Sequence, residues 1–583
     1  MRYYVLRKID YIAIFRQNAK KYSQKPCFLF EEKIFTFQHV EDFTNRLANY
    51  ISGEGYKHGD VIALILENCI EYPCVWISLS KLGIITALIN SNLRSKPLLH
   101  SIATAGAKAI ITSKQILQEI ETEIKELNFS KVYLVGSNTS SSDNDRFDSP
   151  TIETIYLDKQ LATCSPQQTK PIPYNLKHPV FYIYTSGTTG LPKAAVIKHS
   201  RFLLGAVGFL VATGISQKDI IYNTLPLYHS HGGWIGVTYS LVGGATTVFR
   251  KKFSASNFWK DCIKYKCTSF LYVGELCRFL LAQPPSADDQ KHQIRCVSGN
   301  GLRANLWVQF ANRFNIKQIR EFYAATESNA YFFNLDSKPG ACGFTSMVMP
   351  HVLGIVLLKF DQTTMEPIRN EKTGICIECD IGERGLLAGL ITKSVLHAFD
   401  GYVNNPSGTN RKLIRDVLKK GDLAFNTGDV IISDKFGYFY FCDRTGDTFR
   451  WRGENVSTVE VENVLMDILK LSEVVVFGVN VPETDGKAGM VVIRNNEKPI
   501  DLKYLEKELK IHLASYARPI FIRLTDQIEM TGTFKVKKIT FQDESYDITR
   551  INDEVYYLNS STQTYQRLTN DIYIKINEGK IKF

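Results

Sequence analysis

Apolar residues occur along the chain in two kinds of stretch. Short continuous apolar runs predict buried strands at 61–68, 109–112, 131–136 and 179–185. Longer stretches between several of them have apolar residues at helical spacing, and one of these, 40–55, ends at a glycine as helices often do. Strands that alternate with helices predict an α/β fold class with largely parallel sheets.

A change of pattern near Asp443 predicts two domains. Beyond it the chain shows a compact strand–helix pattern, "STVEVENVLMDILKLSEVVVFGVNV". We therefore expect a large N-terminal domain over 1–442 and a small C-terminal domain over 443–583. The polar, Ser-rich segment 137–150 is typical of a surface loop.

The most apolar stretch, "FLLGAVGFLVATGI" at 202–215, is shorter than the roughly 18 residues that a spanning helix needs. It predicts a buried helix. The alternative is a face that dips into a membrane, because Lys198 and Arg201 precede it. The N-terminal residues lack the long apolar centre of a signal peptide. Together with the basic run 250–252, these features predict peripheral membrane contact at most.

Composition narrows the possible functions only slightly. With 44% hydrophobic and 22% charged residues among 583, the chain is typical of a globular protein. A net charge of +11 is too mild to indicate nucleic acid by itself, but suits an anionic ligand or membrane surface. The 12 cysteines are scattered, and the one C-x-x-C, Cys376–Cys379, has no second pair at zinc spacing. We expect reduced thiols and no zinc site.

The run "YTSGTTGLPK" at 184–193 is the clearest chemical motif and follows an apolar strand. Its glycines permit backbone angles closed to other residues, so backbone N–H groups and hydroxyls can turn toward a phosphate chain. Lys193 adds a positive charge, although the run differs from the G-x-x-x-x-G-K-[ST] loop. The predicted phosphate-binding residues are Thr185, Ser186, Gly187, Thr188, Thr189, Gly190 and Lys193.

This run resembles the nucleotide loop of the adenylate-forming superfamily, and further segments resemble the other motifs of that superfamily in its order. They are "LPLYHSHGG" (225–233), "SGNGLR" (298–303), "EFYAATE" (321–327), "NTGDV" (426–430), "DRTGDTFRWRGENVSTVEVE" (443–462) and "MTGTFKVKK" (530–538). The resemblance implies the adenylate-forming enzyme fold: a large domain of packed α/β subdomains with a β-barrel-like part, and a small mobile α+β domain.

The resemblance also implies roles for residues of the large domain. Glu327 would hold Mg²⁺, as suits a carboxylate beside phosphates, and His229 would lie at the acyl side. We do not interpret His229 and His231 as a metal pair, because no carboxylate is nearby in the sequence. The nucleotide would contact Gly299, Asn300 and Gly301 at the adenine edge, Tyr323 by stacking, Ala324 beside it, Thr326 at phosphate, Asp429 at ribose and Arg444 at ribose or phosphate.

Three features are implied for the small domain. A hinge would lie around Gly446, and Lys535 would be the mobile lysine of the adenylation step. Arg452, Gly453 and Glu454 would contribute to a tunnel for coenzyme A, although Gly453 has the alternative interpretation of an ordinary turn glycine. We expect Lys537 and Lys538 to be solvated surface charges.

Within the superfamily, the chain resembles the fatty acid transport proteins, also called very-long-chain acyl-CoA synthetases. The segments that carry this resemblance are 182–201, 333–343, 400–405, 439–458 and the tail 553–568. One departure is Ala324, which stands where the family usually has glycine. If that position requires positive φ, alanine would strain it.

The resemblance implies that the chain activates a long-chain or very-long-chain fatty acid with ATP and Mg²⁺, then transfers the acyl group to coenzyme A. It also implies peripheral contact with the cytosolic face of the endoplasmic reticulum, plasma membrane or a peroxisome. The main alternative is a non-catalytic fatty acid carrier with the same fold. A peptide-synthetase adenylation domain and a serine hydrolase are disfavoured, because no carrier-domain serine motif and no G-x-S-x-G is present.

Overall fold

The computed structural model describes residues 9–127, 129, 131–136, 152–169, 176–185, 191–362, 364–394, 397–470, 473–484, 486–495, 500–532 and 536–583. Strands in the first part of the chain are β1 (Pro26–Phe30), β2 (Lys33–Thr36), β3 (Val61–Ile65), β4 (Ile85–Leu88), β5 (Ala109–Thr112), β6 (Lys131–Leu134), β7 (Glu153–Tyr156), β8 (Pro179–Thr185), β9 (Lys193–Lys198), β10 (Ile220–Asn223), β11 (Thr246–Phe249), β12 (Ser269–Val273), β13 (Cys296–Asn300), β14 (Ile319–Ala324) and β15 (Tyr331–Phe333).

Helices separate many of these strands. They are α1 (Tyr11–Lys21), α2 (Phe37–Gly53), α3 (Glu71–Lys81), α4 (Ser95–Ala105), α5 (Lys114–Glu126), α6 (Leu157–Thr163), α7 (His199–Thr213), a π-helix (Ser230–Ile235), α8 (Gly236–Leu241), α9 (Phe258–Lys264), α10 (Gly274–Ala282) and α11 (Ala304–Arg313).

The later elements begin after β15. The strands are β16 (Gly343–Phe344), β17 (Ile355–Leu358), β18 (Arg384–Ile391), β19 (Leu413–Arg415), β20 (Leu423–Ser433), β21 (Tyr438–Arg444), β22 (Phe449–Trp451), β23 (Glu454–Val456), β24 (Val474–Asn480), β25 (Lys487–Arg494), β26 (Phe521–Thr525), β27 (Glu554–Asn559) and β28 (Thr564–Arg567). The helices are α12 (Pro406–Asn410), α13 (Thr458–Ile468), α14 (Leu502–His512), a 3₁₀ turn (Ser515–Ala517), α15 (Lys538–Glu544) and α16 (Asn570–Asn577).

Two sheets form the body of the large part. One has the order β15-β14-β13-β12-β10-β11-β1-β2 and the other β7-β6-β5-β3-β4-β8-β9. Both are parallel except at edge strands β15, β2 and β9. Central strands such as β3 are buried along their whole length, which explains their unbroken apolar runs. Parallel strands bring their carboxyl ends to one edge, where ligands bind in α/β proteins.

The remaining strands form two units of different character. β16-β21-β20-β18-β17, with β19 beside β20, make an antiparallel sheet in the place of the expected β-barrel-like part. β24 to β28 form a mixed five-stranded sheet near the C-terminus. Buried side chains of this sheet and of the elements around it, from Phe449 to Ile576, form an apolar cluster of their own.

The sequence-predicted helix at 202–215 is confirmed as a core element. It is α7, in which Phe202 and Leu203 are fully buried and Phe209 nearly so. Val211 is the one large apolar residue of this helix that is exposed, over 77% of its surface. The alternative of a membrane-dipping face stays a prediction. Within the described residues, we find no helix with the length and apolarity required to cross a bilayer.

Candidate active site

Two strands bracket the predicted phosphate loop. Thr185 ends β8 and Lys193 begins β9, and the two residues face each other in an antiparallel pair. Ser186, Gly187, Thr188, Thr189 and Gly190 lie outside the described residues. The Lys193 ammonium lies 5.6 Å from the centroid of the Tyr402 ring. This contact connects the end of the loop with the segment after β18.

Tyr402 also orients the predicted metal ligand. Its hydroxyl donates to Glu327 Oε1 at 2.8 Å. The second carboxylate oxygen can then face a cation. The sequence motif gave no reason to select Tyr402, which is 75 positions from Glu327. Thr326, next to Glu327, shares a hydrogen bond of 3.2 Å with the Ser230 hydroxyl.

Arg201 fixes the turn that contains Glu327. Its guanidinium donates to the backbone oxygens of Glu327 at 3.1 Å and Ala325 at 3.4 Å, and also to that of Ser328. Burial lowers the pKa of Arg201, with Asp400 and Glu327 opposing the shift. An arginine suits this position, because its planar guanidinium has several donors in a fixed geometry and can reach three backbone acceptors at once.

The expected adenine and ribose residues lie together. Tyr323 donates its hydroxyl to Asp429, and its ring stacks on Phe332 with centroids 4.8 Å apart. Arg444 Nε lies 3.3 Å from Asp429 Oδ1, and the two residues are cross-strand partners in β20 and β21. One ring face of Tyr323 is thus covered by Phe332.

Ala324 does not show the strain considered above. It is the last residue of β14, where it pairs with Tyr331. It is not among the described residues with positive φ. An extended backbone accommodates alanine as readily as glycine, so this departure from the family pattern has no conformational cost.

The adenine-edge loop is built around glycines and a buried carboxyl group. A Cβ on Gly299 would lie 2.3 Å from the Tyr272 backbone oxygen, so only glycine fits there. Gly301 has a φ of +80°, and Asn300 between them ends β13. Glu321 Oε1 accepts the Leu302 N–H at 3.0 Å and its carboxylate also accepts the Tyr272 hydroxyl. Burial raises the pKa of Glu321 to about 8.

The two histidines of the 225–233 segment, His229 and His231, have different surroundings. The His229 ring lies 4.6 Å from that of Tyr228. His231 packs edge-on against Phe322 at 5.0 Å, its two ring nitrogens have no hydrogen-bond partner among the described residues, and burial lowers its pKa to about 3. His231 is therefore a neutral part of an apolar wall. The described residues contain no cluster of three or more His, Cys, Asp or Glu side chains suited to a metal.

The segment assigned to coenzyme A is the tip of a hairpin. β22 and β23 pair from Phe449↔Val456 to Trp451↔Glu454, which leaves Arg452 and Gly453 as the two turn residues. Both have positive φ, 51° and 82°, as a two-residue type I′ turn requires. The local geometry therefore accounts for Gly453 as a turn glycine. Gly446 lies in the turn between β21 and β22.

Contacts join the small C-terminal unit to the large part. Arg303, which directly follows the adenine-edge loop, donates to Asn463 at 2.8 Å and pairs with Glu462 at 3.1 Å. Gly532 lies against Tyr228, so that a Cβ on Gly532 would be 2.1 Å from the Tyr228 hydroxyl oxygen. Lys535, three residues further on, lies outside the described residues.

The expectation that Lys538 is a solvated charge is wrong. Its ammonium lies 3.2 Å from Glu462 and 3.6 Å from Asp447, and donates to the Val476 backbone oxygen at 3.3 Å. Lys538 caps a group of carboxylates inside the C-terminal unit. Lys537 is as expected, since it is half exposed and pairs with Glu529 at the surface.

Mg²⁺ fits this arrangement. The donor set consists of the Glu327 carboxylate with the Thr326 hydroxyl beside it, and Mg²⁺ is bound in proteins by one or two carboxylates together with substrate phosphates and water. Few protein ligands are therefore required, provided that a polyphosphate supplies the others.

Comparisons with known proteins identify the family and the fold. Residues 15–380 match the family of AMP-binding enzymes, and 460–535 match the AMP-binding enzyme C-terminal domain. The solved structure of the anthranilate CoA ligase AuaEII with anthranoyl-AMP is similar, with a TM-score of 0.76 at 18% identity over 93% of this chain and 98% of that one. ATP-bound MatB from Rhodopseudomonas palustris has a TM-score of 0.74 at 20% identity over 92% and 99%. The fold is thus that of the adenylate-forming enzymes.

Curated relatives are closer in sequence. Long-chain fatty acid transport protein 1 of Homo sapiens is 43% identical over 94% of this chain and 83% of its own length. Long-chain fatty acid transport protein 6 of Mus musculus is 40% identical over 97% and 90%. Long-chain fatty acid transport protein 2 of Rattus norvegicus is 39% identical over 98% and 91%. The chain belongs to the AMP-binding enzymes and, among them, to the long-chain fatty acid transport protein family.

Proposed function

We propose that this chain is an ATP-dependent, AMP-forming ligase that joins long-chain or very-long-chain fatty acids to coenzyme A. The observation that supports it best is the linked contact of Lys193, Tyr402 and Glu327, because it connects the phosphate loop with a carboxylate suited to Mg²⁺. The Asp429–Arg444 pair, on the paired strands β20 and β21, would supply an acceptor for ribose hydroxyls and a cation for phosphate.

The reaction has two steps. A fatty carboxylate oxygen attacks the α-phosphorus of ATP, forming the mixed anhydride of the acyl-adenylate as pyrophosphate leaves. The sulfur of coenzyme A then attacks the acyl carbon, and AMP leaves with the anhydride oxygen as the thiol proton is lost. Both steps depend mainly on alignment and on stabilisation of charge.

Residues of the chain supply that alignment and charge. Glu327, oriented by Tyr402, would hold Mg²⁺, which when bound offsets the charge of the phosphates. Thr326 would donate to a phosphate oxygen. Asp429 would bind the ribose and Tyr323 the adenine. Lys535 would neutralise charge at the α-phosphate during the first step only.

We further propose that residues 443–583 move as a unit about a hinge near Gly446 after the first step. The separate apolar cluster of this unit supports such motion, because the unit has a core of its own. The hairpin tip at Arg452, Gly453 and Glu454 would then reach the coenzyme A site. The approach of Gly532 to Tyr228 supports a role of this arrangement in the first step, because the two residues belong to the segments 530–538 and 225–233.

The experiment that tests the function measures pyrophosphate release from ATP with oleate, with and without coenzyme A, alongside oleoyl-CoA formation. The ligase should release pyrophosphate and form oleoyl-CoA, and Glu327→Gln should lose both while Glu366→Gln, an exposed control, retains them. A non-catalytic carrier would bind oleate without releasing pyrophosphate. A series of acids of increasing chain length assigns the substrate class.

Peripheral membrane contact is part of this proposal, since the substrate partitions into bilayers. Lys252 is well exposed at 81% of its side chain, although Lys251 and Lys252 both lie near Glu67, which offsets some of their charge. We expect binding to anionic vesicles that weakens with salt. Equal co-sedimentation with neutral and anionic vesicles would exclude the electrostatic contribution.

A further inference from the structure

Lys412 is a cation near the candidate site, and no sequence motif points to this residue. It lies between α12 and β19, and its backbone is held at both ends. Its N–H donates to the Thr409 oxygen at 3.1 Å, and its own oxygen accepts the Asn426 N–H at 2.7 Å. Asn426 begins the segment that leads to Asp429. The backbone of Lys412 is therefore fixed against the strand that carries the ribose carboxylate.

The side chain follows the same strand toward the site. Its ammonium lies 5.6 Å from the Phe425 ring centroid and donates to the Thr427 backbone oxygen at 3.4 Å. A Cβ on Gly428 would lie 3.8 Å from it. The cation thus lies directly beside the turn that presents Asp429.

This ammonium has capacity left for a ligand. A lysine has three N–H donors, and one is used by Thr427. In the described part of the chain, Lys412 forms no ion pair with a carboxylate. A half-buried charge without a counter-ion is unfavourable, and a bound anion removes that cost.

Four charged residues of the proposed nucleotide site lie in the electrostatic surroundings of Lys412. Burial lowers the pKa of Lys412, Glu327 and Asp429 act to raise it, and Lys193 and Arg444 act to lower it. Lys412 therefore lies within electrostatic range of these four residues, all assigned above to the nucleotide. With the roles proposed above, the two carboxylates would contact opposite ends of the nucleotide, Asp429 the ribose and Glu327 a Mg²⁺ beside the phosphates.

On the proposed function, the group between those ends is the α-phosphate, because it joins the ribose 5′-oxygen to the remaining phosphates. We propose that Lys412 binds the α-phosphate of the nucleotide, in ATP, in the acyl-adenylate and in AMP. Lys412 belongs to the large part of the chain and is tied to the Asp429 strand. Its contact therefore persists through both half-reactions, in contrast to that of Lys535.

The test compares AMP with adenosine by calorimetry on wild type, Lys412→Gln and Lys412→Arg. AMP keeps the α-phosphate and adenosine lacks it. Lys412→Gln should weaken AMP binding about 10- to 100-fold, the usual loss for a hydrogen bond to a charged group, and leave adenosine binding within about twofold. Lys412→Arg should recover most of the AMP affinity, because the charge is retained. Lys419→Ala, an exposed neighbour on the same segment, should change neither affinity.

The outcomes separate this inference from the proposed function, because binding of AMP requires no turnover. If wild type binds AMP and Lys412→Gln binds it equally well, the inference fails while the function stands. Equal loss of AMP and adenosine affinity would show that Lys412 only supports the fold of the site, and would overturn the inference. If wild type binds neither compound, both fail. A melting temperature measured for each variant confirms that the variants are folded.

Discussion

Gly532 and Tyr228 are in contact across the two parts of the chain. A methyl group at Gly532 would meet the Tyr228 hydroxyl oxygen at 2.1 Å and the ring carbon that bears it at 3.3 Å. An added methyl group would therefore displace either the Tyr228 hydroxyl or the small C-terminal unit from the positions described here.

Gly532→Ala should disfavour this arrangement and slow acyl-adenylate formation. Overpacking costs about 1–3 kcal/mol, which corresponds to a roughly 5- to 150-fold lower rate. Conversion of supplied oleoyl-AMP to oleoyl-CoA should change little, because it uses a different orientation of the unit. Stopped-flow measurement of each half-reaction provides the comparison.

A second substitution distinguishes the clash from an altered loop. Tyr228→Phe removes the oxygen that Cβ would meet, so Gly532→Ala combined with Tyr228→Phe should recover most of the adenylation rate. No recovery would mean that alanine acts on the loop backbone instead of on Tyr228.

Lys535→Ala should slow adenylate formation by about two to three orders of magnitude, the usual loss when a contact to a transition-state charge is removed. Thioester formation from oleoyl-AMP should be nearly unchanged. Equal slowing of both steps would indicate that the lysine is structural or that the unit does not rotate.

The two neighbouring lysines serve as controls with different expected results. Lys537→Ala should leave both steps and the stability unchanged, because its ion pair is at the surface. Lys538→Ala leaves Glu462 and Asp447 without this cation and should lower the free energy of unfolding by about 1–3 kcal/mol. Chemical denaturation measures that difference.

Tyr402→Phe should weaken the response to Mg²⁺. The substitution removes the hydroxyl that orients Glu327 and retains the ring, and loss of such a supporting contact typically costs about 10- to 100-fold in metal affinity or activity. The Mg²⁺ concentration for half-maximal pyrophosphate release should rise accordingly. Tyr438→Phe is a matched control, since its hydroxyl binds Asp336 at an exposed position. If Tyr402→Phe and Tyr438→Phe required the same Mg²⁺ concentration for half-maximal pyrophosphate release, a role of Tyr402 in orienting the metal ligand would be excluded.

Glu321 should make stability depend on pH. Its folded pKa of about 8 exceeds the ordinary value of 4.5, so the folded state keeps a proton that the unfolded state has lost. Its contribution to stability is therefore fully present below about pH 4.5 and decreases as pH rises toward 8, by up to about 1.4 kcal/mol per pH unit. Glu321→Gln cannot titrate, so its melting temperature should fall less than that of wild type between pH 5.5 and 8. Parallel curves would contradict the shifted pKa.

Local sequence pattern predicted local structure well. The runs at 109–112 and 179–185 match β5 and β8 at both ends, because a fully buried strand requires an unbroken apolar run. The helix predicted at 40–55 begins earlier, at Phe37, where Thr36 and His39 form a capping box. Histidine at the third helical position is not the usual Glu or Gln of that motif, so the start was not apparent.

The supporting contacts of the site were not predictable in this way. Arg201 contacts Glu327 across 126 positions of sequence, and Tyr402 contacts Glu327 across 75 positions. A single sequence contains no signal for contacts between residues so far apart. Lys538 shows that a local pattern can also predict the wrong environment. It lies in a basic run typical of a surface, yet the fold brings Glu462 and Asp447 to it.

Arg303 connects the adenine-edge loop with the small C-terminal unit. Arg303 follows Leu302, whose N–H donates to Glu321 at the adenine-edge loop. Its guanidinium forms an ion pair with Glu462 and donates to Asn463 of the small unit. Movement of that unit after the first step, as proposed, would release Arg303 while the acyl-adenylate is still bound. The adenine-edge loop would then lose its tie to the small unit before coenzyme A reacts, so the loop would hold the acyl-adenylate and AMP less rigidly than ATP.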